Sequence, residues 1–299
     1  MLDIVILTDH RYVNPEKVDW YTQQVLDEDR LLQTALENKG LTVCKKDWAD
    51  KNFDWTSSKY AIFRTTWDYF ERFDEFFIWL EDTKKKTTFI NSSEIINWNI
   101  DKHYLQDLAK NKVNIASTLF VEKGDRITLA QLFDKANWKE AVLKPAISGA
   151  ARQTYRIHPN NCSEFETLFQ KLIENESMLF QEFLNNIITQ GEISLILIGG
   201  KYTHAVKKIA KKGDFRVQDD HGGRVEKYTP TKEEILFAEN CLIASPFKPK
   251  YARVDIVYDN NNKPSLSELE LIEPELWFRN YPLAAEKLAE EISNLVISK

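Results

Sequence analysis

Three acidic residues toward the C-terminal end of the sequence have the spacing of a carboxylate cluster. Glu268 and Glu270 are separated by one residue, so they share one face of a strand, because side chains alternate faces with period two. A turn centred on residues 261–262 would set Asp255 opposite Glu268 and Arg253 opposite Glu270. Opposed residues of an antiparallel pair point to the same face, so three carboxylates and one arginine are predicted to converge.

Such a cluster needs a positive partner, because like charges placed opposite one another destabilise a sheet. Clustered hard oxygen ligands suit Mg²⁺. Proteins usually hold this ion through about one or two carboxylates together with substrate phosphates. The alternative is a solvated sheet face with scattered acids. The spacing therefore predicts a Mg²⁺ site at Asp255, Glu268 and Glu270, with Mn²⁺ as the alternative ion.

Basic and small residues in the middle of the sequence are suited to bind phosphate. Lys144 ends a short apolar run that predicts a strand, and the small residues 148–151 precede Arg152. Small residues let backbone N–H groups approach an anion. Lys102 follows Asp101, the predicted N-cap of a helix. The helix dipole disfavours a cation at this end of a helix, so the position of Lys102 suggests a functional role. The alternative is a turn of small residues flanked by solvated bases.

A second segment with glycines carries two arginines. Residues 213–218 contain Arg216, and residues 222–223 are glycines that precede Arg224. This segment is predicted to close over a bound anion, the alternative being a mobile surface loop.

The composition excludes several functional classes. Lys and Arg total 40 and Asp and Glu total 46, a net charge of −6, so the chain lacks the basic footprint of a general nucleic-acid binder. The 3 cysteines include no C-x-x-C pair, which argues against a disulfide framework and a zinc site. No apolar run approaches the ~20 residues of a membrane span, and the N-terminus lacks a positive signal-peptide region, so we expect a cytoplasmic protein. Motifs of serine hydrolases, zinc proteases, Rossmann dehydrogenases and Walker ATPases are absent from the sequence.

Local patterns predict a change of architecture along the chain. Over residues 1–95, strand and helix signals alternate, which predicts a small parallel sheet covered on both faces. Beyond this point the strands form antiparallel hairpins, so the remainder is predicted to be α+β. Two capping boxes, Ser163 with Glu166 and Thr231 with Glu234, predict helix starts.

Taken in order, these features resemble the ATP-grasp superfamily in its glutathione-synthetase-like branch. The resemblance covers about residues 95–280 and implies an ATP-grasp fold with an N-terminal Rossmann-like parallel-sheet domain. We divide the chain accordingly into a substrate-side domain (1–95), an N-terminal ATP-grasp lobe (96–184) and a C-terminal lobe with the metal hairpin (185–299). Residues 64–69 also resemble a smaller subgroup, which includes the cyclo-ligase of D-cycloserine biosynthesis.

The resemblance implies a role for each group of residues. The implied ATP contacts are Lys102, Lys144, Ser148, Gly149, Ala150 and Arg152 at the phosphates, Gln181, Glu182, Phe183 and Leu184 at the adenine hinge, and Glu192 at the ribose. The implied metal ligands are Asp255, Glu268 and Glu270, and the implied catalytic residues are Arg216, Arg224 and Lys208. Two positions depart from the family pattern: the phosphate loop has one glycine, Gly149, where many relatives are glycine-rich, and Glu270 stands where glutathione synthetases carry Asn.

The activity implied by the resemblance is ATP- and Mg²⁺-dependent ligation of a carboxylate to an amine or related nucleophile through an acyl phosphate, releasing ADP and phosphate. The implied partners are an amino-acid-like small molecule or peptide and, as is common among relatives, a second copy of the chain. Substrate contacts are expected at Asp9 and Arg11 after the first strand, at residues 65–68, and at Glu273 or Arg279. Two alternatives stay open: a kinase on the same fold with a hydroxyl acceptor, and an ATP-binding module without turnover.

Overall fold

The computed structural model describes residues 1–217 and 222–297, and its N-terminal part is a parallel sheet, as predicted. The strands, in the spatial order β2-β1-β3-β4, are β1 (Leu2–Thr8), β2 (Val43–Asp47), β3 (Ser58–Thr65) and β4 (Thr88–Ile90). The accompanying helices are α1 (Trp20–Asn38), α2 (Phe73–Thr83) and α3 (Ser93–Asn99). Helix α1 ends just before Gly40, whose φ of +81° is in the left-handed region that glycine tolerates.

The next segment forms an antiparallel sheet with the strand order β5-β8-β6-β7. Its elements are α4 (Tyr104–Lys110), β5 (Thr118–Val121), α5 (Leu129–Ala136), β6 (Ala141–Pro145), β7 (Tyr155–Ile157), α6 (Cys162–Ile173) and β8 (Met178–Glu182). The predicted change from parallel to antiparallel pairing in the middle of the chain is therefore confirmed.

Two helix starts in this segment differ from the sequence prediction. The predicted capping box of Ser163 and Glu166 is wrong, because the Glu166 carboxylate accepts the backbone N–H of Leu129 at 2.9 Å instead. Glu166 thereby ties α6 to the start of α5. Asp101 does not cap α4 directly; it accepts the N–H of His103 at 2.9 Å, in a turn that precedes the helix.

The third sheet is also antiparallel, with the order β11-β10-β9-β12-β13. Its elements are α7 (Asn186–Thr189), β9 (Glu192–Ile198), β10 (Lys201–Ile209), β11 (Arg224–Tyr228), α8 (Lys232–Ala244), β12 (Tyr251–Tyr258) and β13 (Pro264–Glu270). The predicted capping box at α8 is confirmed: Glu234 N–H donates to the Thr231 hydroxyl at 3.2 Å, and Thr231 N–H donates to the Glu234 carboxylate at 2.6 Å.

The last helix, α9 (Leu283–Ile297), packs against α1 rather than against its own lobe alone. Leu32 of α1 and Leu288 of α9 belong to one buried cluster that also contains Ile4 of β1 and Ile196 of β9. The parallel sheet and the five-stranded sheet therefore share a core. No helix in residues 1–217 and 222–297 is long and apolar enough to span a membrane.

Candidate active site

The candidate site is a cavity of about 700 Å³ lined by residues of the two antiparallel sheets and by segments that follow β1 and β3 of the parallel sheet. This volume lies in the range of small-molecule sites, roughly 300–1,000 Å³. The structure brings all predicted ATP and metal residues to the cavity wall, together with Lys208 and Arg216. Arg224 is the exception among the predicted catalytic residues.

The β12–β13 hairpin has the predicted register at the carboxylates. Asp255 pairs with Glu268 and Arg253 pairs with Glu270. Nearer the turn, the pairing shifts by one residue, so the turn does not have the predicted centre. Ser267 is the extra residue at this shift, and the resulting bulge restores the register that places the acids on one face.

Asp255 is the most deeply buried of the three acids, with 1% of its surface exposed. It accepts hydrogen bonds from Ser194 Oγ at 2.6 Å, from Lys208 Nζ at 3.3 Å and from the Arg253 guanidinium at 2.9–3.1 Å. Burial raises the pKa of Asp255, but Arg253 and Lys208 outweigh burial and lower this pKa to about 2. The Asp255 carboxylate is therefore ionised at neutral pH.

Glu270 carries the remaining repulsion of the cluster. Ligand atoms of Asp255, Glu268 and Glu270 all lie within 4.8 Å of one another. Burial raises the pKa of Glu270 to about 8; the bonded Arg253 opposes this rise, and the two neighbouring carboxylates add to it. A set of hard oxygen donors with unrelieved negative charge fits a divalent cation such as Mg²⁺.

The two predicted phosphate lysines lie beside the Glu268 carboxylate of the hairpin. Lys144 Nζ donates to Glu268 at 3.3 Å, and Lys102 Nζ lies 3.8 Å from the same carboxylate. Lys102 Nζ also donates to the carbonyl oxygen of Ser148 at 2.6 Å, which ties this lysine to the predicted phosphate loop. Burial raises the pKa of Glu268, but the two lysines outweigh burial and lower it. The lysines suited to bind phosphate therefore lie next to the carboxylates suited to bind a divalent ion.

The phosphate loop follows β6 and contacts the N-terminal domain. The ring of Phe70 lies so close to Gly149 that a Cβ at this position would be 2.6 Å from the Phe70 Cε1 atom. Ala150 and Ala151 take φ values of +48° and +53°, in the left-handed region that disfavours a side chain. One glycine suffices at the tightest contact, while the two alanines hold a backbone conformation that glycine adopts more easily.

Arg152 has a structural partner in addition to its place in the cavity wall. Its guanidinium donates to the Glu176 carboxylate at 2.5 and 3.1 Å and to the Ile147 carbonyl oxygen at 3.0 Å. These contacts hold the two ends of the phosphate loop together. Phosphate binding by Arg152 stays a prediction.

The predicted hinge includes the end of β8 and the two residues after it, and it lines the cavity with Gln181, Glu182, Phe183 and Leu184. The Phe183 ring contacts the Phe215 ring edge-to-face, with centroids 5.8 Å apart, and the Arg156 guanidinium lies 3.9 Å from the Phe183 centroid. The segment that contains Phe215 is predicted from the sequence to close over a bound anion. In the structure the Phe215 ring contacts the hinge, a contact between distant residues for which the sequence has no local signal.

Lys208 connects the predicted ribose contact to the metal cluster. It is buried and bonded to Glu192, and it lies 3.3 Å from Asp255. Burial lowers the pKa of Lys208, but these two carboxylates outweigh burial and raise it. Burial raises the pKa of Glu192, with Lys208 opposing this rise. The predicted placement of Lys208 in the same cavity as the metal cluster is confirmed.

Of the two predicted arginines, Arg216 precedes β11 and Arg224 begins it, and only Arg216 lines the cavity. Arg216 lines the cavity, and Asp214 holds its guanidinium, with an Nη2–Oδ2 distance of 2.8 Å. Arg224 does not reach the cavity: its side chain is 70% exposed and lies 3.5 Å from Glu226. Val225, the next residue on β11, lines the cavity in its place, since neighbouring strand residues face opposite sides. Residue 218 of the predicted motif lies outside the described residues.

The residues predicted to contact substrate at the N-terminal domain are only partly in the cavity. Arg11 and Trp67 line it. Asp9 is buried and holds the Arg11 guanidinium through two hydrogen bonds of 3.0 and 2.6 Å. Thr65 and Asp68 are buried away from the cavity lining. Asp9 therefore acts through Arg11, and the predicted contact at residues 65–68 narrows to Trp67.

The segment that follows β13 contributes two acids to the cavity wall. Glu273 lines the cavity and accepts a hydrogen bond from the Tyr69 hydroxyl. Glu275 also lines the cavity and pairs with Arg279 at 2.5 Å. Glu28 of α1 accepts the backbone N–H of Arg279 at 3.2 Å and so fixes this wall from the far end of the sequence. Sequence reasoning missed Glu28, because a helix residue some 250 positions away carries no local sign of this contact.

Two family models match the chain. Residues 4–91 match the N-terminal domain of the D-cycloserine synthetase DcsG, and residues 107–247 match the ATP-grasp domain of prokaryotic glutathione synthetase. The chain is 27% identical over 259 residues to the cycloserine biosynthesis protein DcsG of Streptomyces lavendulae, which covers 82% of this chain and 86% of that protein.

Solved structures share the fold over the whole chain. The crystal structure of D-cycloserine synthetase DcsG has a TM-score of 0.86 at 24% identity, covering 98% of this chain and 99% of that chain. The D-alanine–D-alanine ligase of Bacillus anthracis complexed with ATP has a TM-score of 0.66 at 13% identity, covering 100% and 98%. The fold is that of the ATP-grasp ligases. Residues 107–247 are therefore an ATP-grasp domain of the glutathione-synthetase type, and the matches over both parts of the chain support an ATP-dependent ligase of the C–N bond-forming class.

Proposed function

We propose that this protein is a Mg²⁺-dependent ligase that phosphorylates a substrate carboxylate with ATP and joins it to an amine or a related nucleophile, releasing ADP and phosphate. One observation carries the proposal: Asp255, Glu268 and Glu270 cluster within one cavity beside Lys102 and Lys144. Two similar proteins are named for D-cycloserine and for D-alanine–D-alanine, and these names support an amino-acid-like substrate.

The cavity residues divide between binding the nucleotide and steadying the reacting groups. Lys102 and Lys144 would hold the α- and β-phosphates, because phosphoryl transfer depends mainly on positioning and charge neutralisation. A divalent ion held by Asp255, Glu268 and Glu270 would neutralise the charge of the β- and γ-phosphate oxygens when bound. Arg216 would stabilise the negative charge that develops on the transferred phosphoryl group and on the tetrahedral species.

The reaction proposed has two half-reactions. An oxygen of the substrate carboxylate attacks the γ-phosphorus, the bond to the ADP oxygen breaks, and an acyl phosphate forms. The nucleophile then attacks the acyl carbon, the new C–N bond forms, and the C–O bond to phosphate breaks. Exclusion of bulk water from the cavity would protect the acyl phosphate from hydrolysis.

The test is ADP release from Mg-ATP with pools of amino acids and small carboxylic acids, in the presence of hydroxylamine. Hydroxylamine traps an acyl phosphate as a hydroxamate, so ADP together with hydroxamate in one pool is the expected result. ADP without hydroxamate would contradict carboxylate activation and favour a kinase or an idle ATPase. The matched pair E268Q and E226Q separates the metal cluster from an exposed acid of the same sheet: only E268Q should lose both products.

A further inference from the structure

Glu273 differs in its partner from five other acids of the cavity wall. The three metal-type carboxylates lie beside lysine or arginine, Glu192 pairs with Lys208, and Glu275 pairs with Arg279. Among residues 1–217 and 222–297, no lysine, arginine or histidine lies within 4 Å of the Glu273 carboxylate. Its partner is the neutral hydroxyl of Tyr69. Glu273 is thus able to take up a proton without first losing an ion pair.

The backbone of Glu273, which is close in sequence to the metal-type acids, is held by Trp67 of the N-terminal part of the chain. Its carbonyl oxygen accepts the indole N–H of Trp67 at 3.0 Å, so the N-terminal domain fixes its position. Glu273 follows the metal-type acid Glu270 by three residues, and Lys102 and Arg253 act on its charge. The carboxylate therefore lies between the phosphate end of the cavity and the wall that carries Trp67.

We propose that Glu273 is the general base that accepts a proton from the amine nucleophile in the second half-reaction, an inference that rests on the proposed function. An ammonium group must lose two protons to become an amide nitrogen. The first passes to Glu273 and frees the nitrogen lone pair, which forms the C–N bond while the C–O bond to phosphate breaks. The second leaves the attacking nitrogen with the departing phosphate, as HPO₄²⁻. The protonated Glu273 then returns its proton to water through the cavity mouth.

The surroundings of Glu273 suit this proton transfer. Burial raises the pKa of Glu273 to about 7, and the hydrogen bond from Tyr69 opposes this rise. A base whose pKa is near the working pH combines a usable ionised fraction with a strong drive to accept a proton. The ion-paired acid Asp255, whose pKa is lowered to about 2, would be a far weaker base.

The first test compares two nucleophiles in the variant E273Q. Hydroxylamine is a weak base that is mostly unprotonated at neutral pH, so it does not need the first proton transfer, whereas an amino group does. With the pool that yields hydroxamate, E273Q should form hydroxamate within about 3-fold of wild type but lose the condensed amine product by roughly 10²–10⁴-fold. The control E226Q removes an exposed acid of β11 that is not among the cavity-lining residues, and both of its products should stay at wild-type rates.

Equal losses of both products in E273Q, or full retention of the amine product, would overturn the assignment. Absence of hydroxamate from the wild-type protein in every pool would instead overturn the proposed function, and this inference with it. Calorimetric binding of Mg-ATP to E273Q should match wild type, because Glu273 has no predicted contact with the nucleotide.

The second test uses Y69F, a change that keeps the aromatic packing of the buried Tyr69 ring. The lost hydrogen bond lowers the pKa of Glu273 in the wild type, so its removal should raise that pKa. The acid limb of kcat/KM for the amine product, expected near pH 7, should shift to higher pH in Y69F and should disappear in E273Q. An acid limb that stays in place in both variants would assign the proton transfer to another group.

Discussion

The β12–β13 hairpin and the segment between β10 and β11 both carry charged residues predicted for the site, but they deliver them differently. The hairpin places all three of its acids in the cavity. The other segment places Arg216 there and leaves Arg224 exposed. In the hairpin, backbone pairing with a known partner decides which face each side chain occupies. Arg224 begins β11 and pairs with Ile209 of β10, so strand pairing also decides its direction, whereas Arg216 lies outside the paired strands and is held by Asp214.

The two regions also differ in the contacts that hold their charged side chains. Asp255 is fixed by Ser194, Lys208 and Arg253, which come from three neighbouring strands. Arg216 is fixed by Asp214, two residues away in its own segment. A network across strands resists movement, whereas a local ion pair can move with its segment. The hairpin is therefore expected to act as the rigid part of the site and the Arg216 segment as the adjustable part.

The largest expected effect is in the hairpin. In E268Q the amide can no longer supply the charge that Lys102 and Lys144 now neutralise, nor a strong ligand for a divalent ion. ADP release should fall by about 10³-fold or more, on the scale of losing a key electrostatic group. Circular dichroism and thermal unfolding should show an intact fold, because the Glu268 side chain is 27% exposed. Turnover within 10-fold of wild type would contradict the metal assignment.

The second effect tests the other segment with a matched pair of arginines. R216A removes a cation from the cavity wall and should lower ADP release by about 10²-fold, the typical loss for one group that stabilises developing charge. R224A removes an exposed side chain and should stay within about 2-fold of wild type. Steady-state rates of both variants at saturating Mg-ATP measure the difference. A large loss in R224A would mean that this arginine enters the cavity during turnover.

Sequence reasoning located the nucleotide and metal side of the site better than the substrate side. Lys144, Glu268 and Glu270 lie on strands, where the period-two rule and a turn indicate neighbours. The register at the acids depends on the bulge at Ser267, which the sequence did not predict: without the bulge, the observed turn would have set the acids one residue out of register. The substrate wall depends on contacts such as Glu28 to Arg279, and no local pattern encodes those.

The free energy of unfolding should depend on pH through a buried histidine that a strand holds in place. His204 on β10 is buried beside the carbonyl oxygen of Leu276, 2.9 Å from its Nε2 atom. Burial lowers the pKa of His204 from 6.5 to about 4, with that carbonyl opposing the shift. The unfolded chain therefore binds the proton first, so this contribution to stability is complete above pH 6.5 and is lost as the pH falls toward 4.

The measurement is the free energy of unfolding in urea between pH 7 and 4 for wild type, H204Q and the control H158Q. Wild type and H158Q should lose about 2–3 kcal/mol more than H204Q over this interval, the linkage expected from the lowered pKa of His204. Parallel curves for wild type and H204Q would mean that His204 is protonated in the folded protein.

The smallest expected effect concerns one sequence motif in two settings. Thr231 and Ser163 each precede a glutamate by three residues, yet the reciprocal hydrogen bonds form only at Thr231. T231A should lower the free energy of unfolding by about 1 kcal/mol, the usual value of an N-cap, and S163A should change it by less than about 0.5 kcal/mol. Equal losses in urea unfolding would show that Ser163 caps α6 after all. The predicted inequality arises because Glu166 is already bonded to Leu129 of α5, so a tertiary contact takes the partner that the local motif would need.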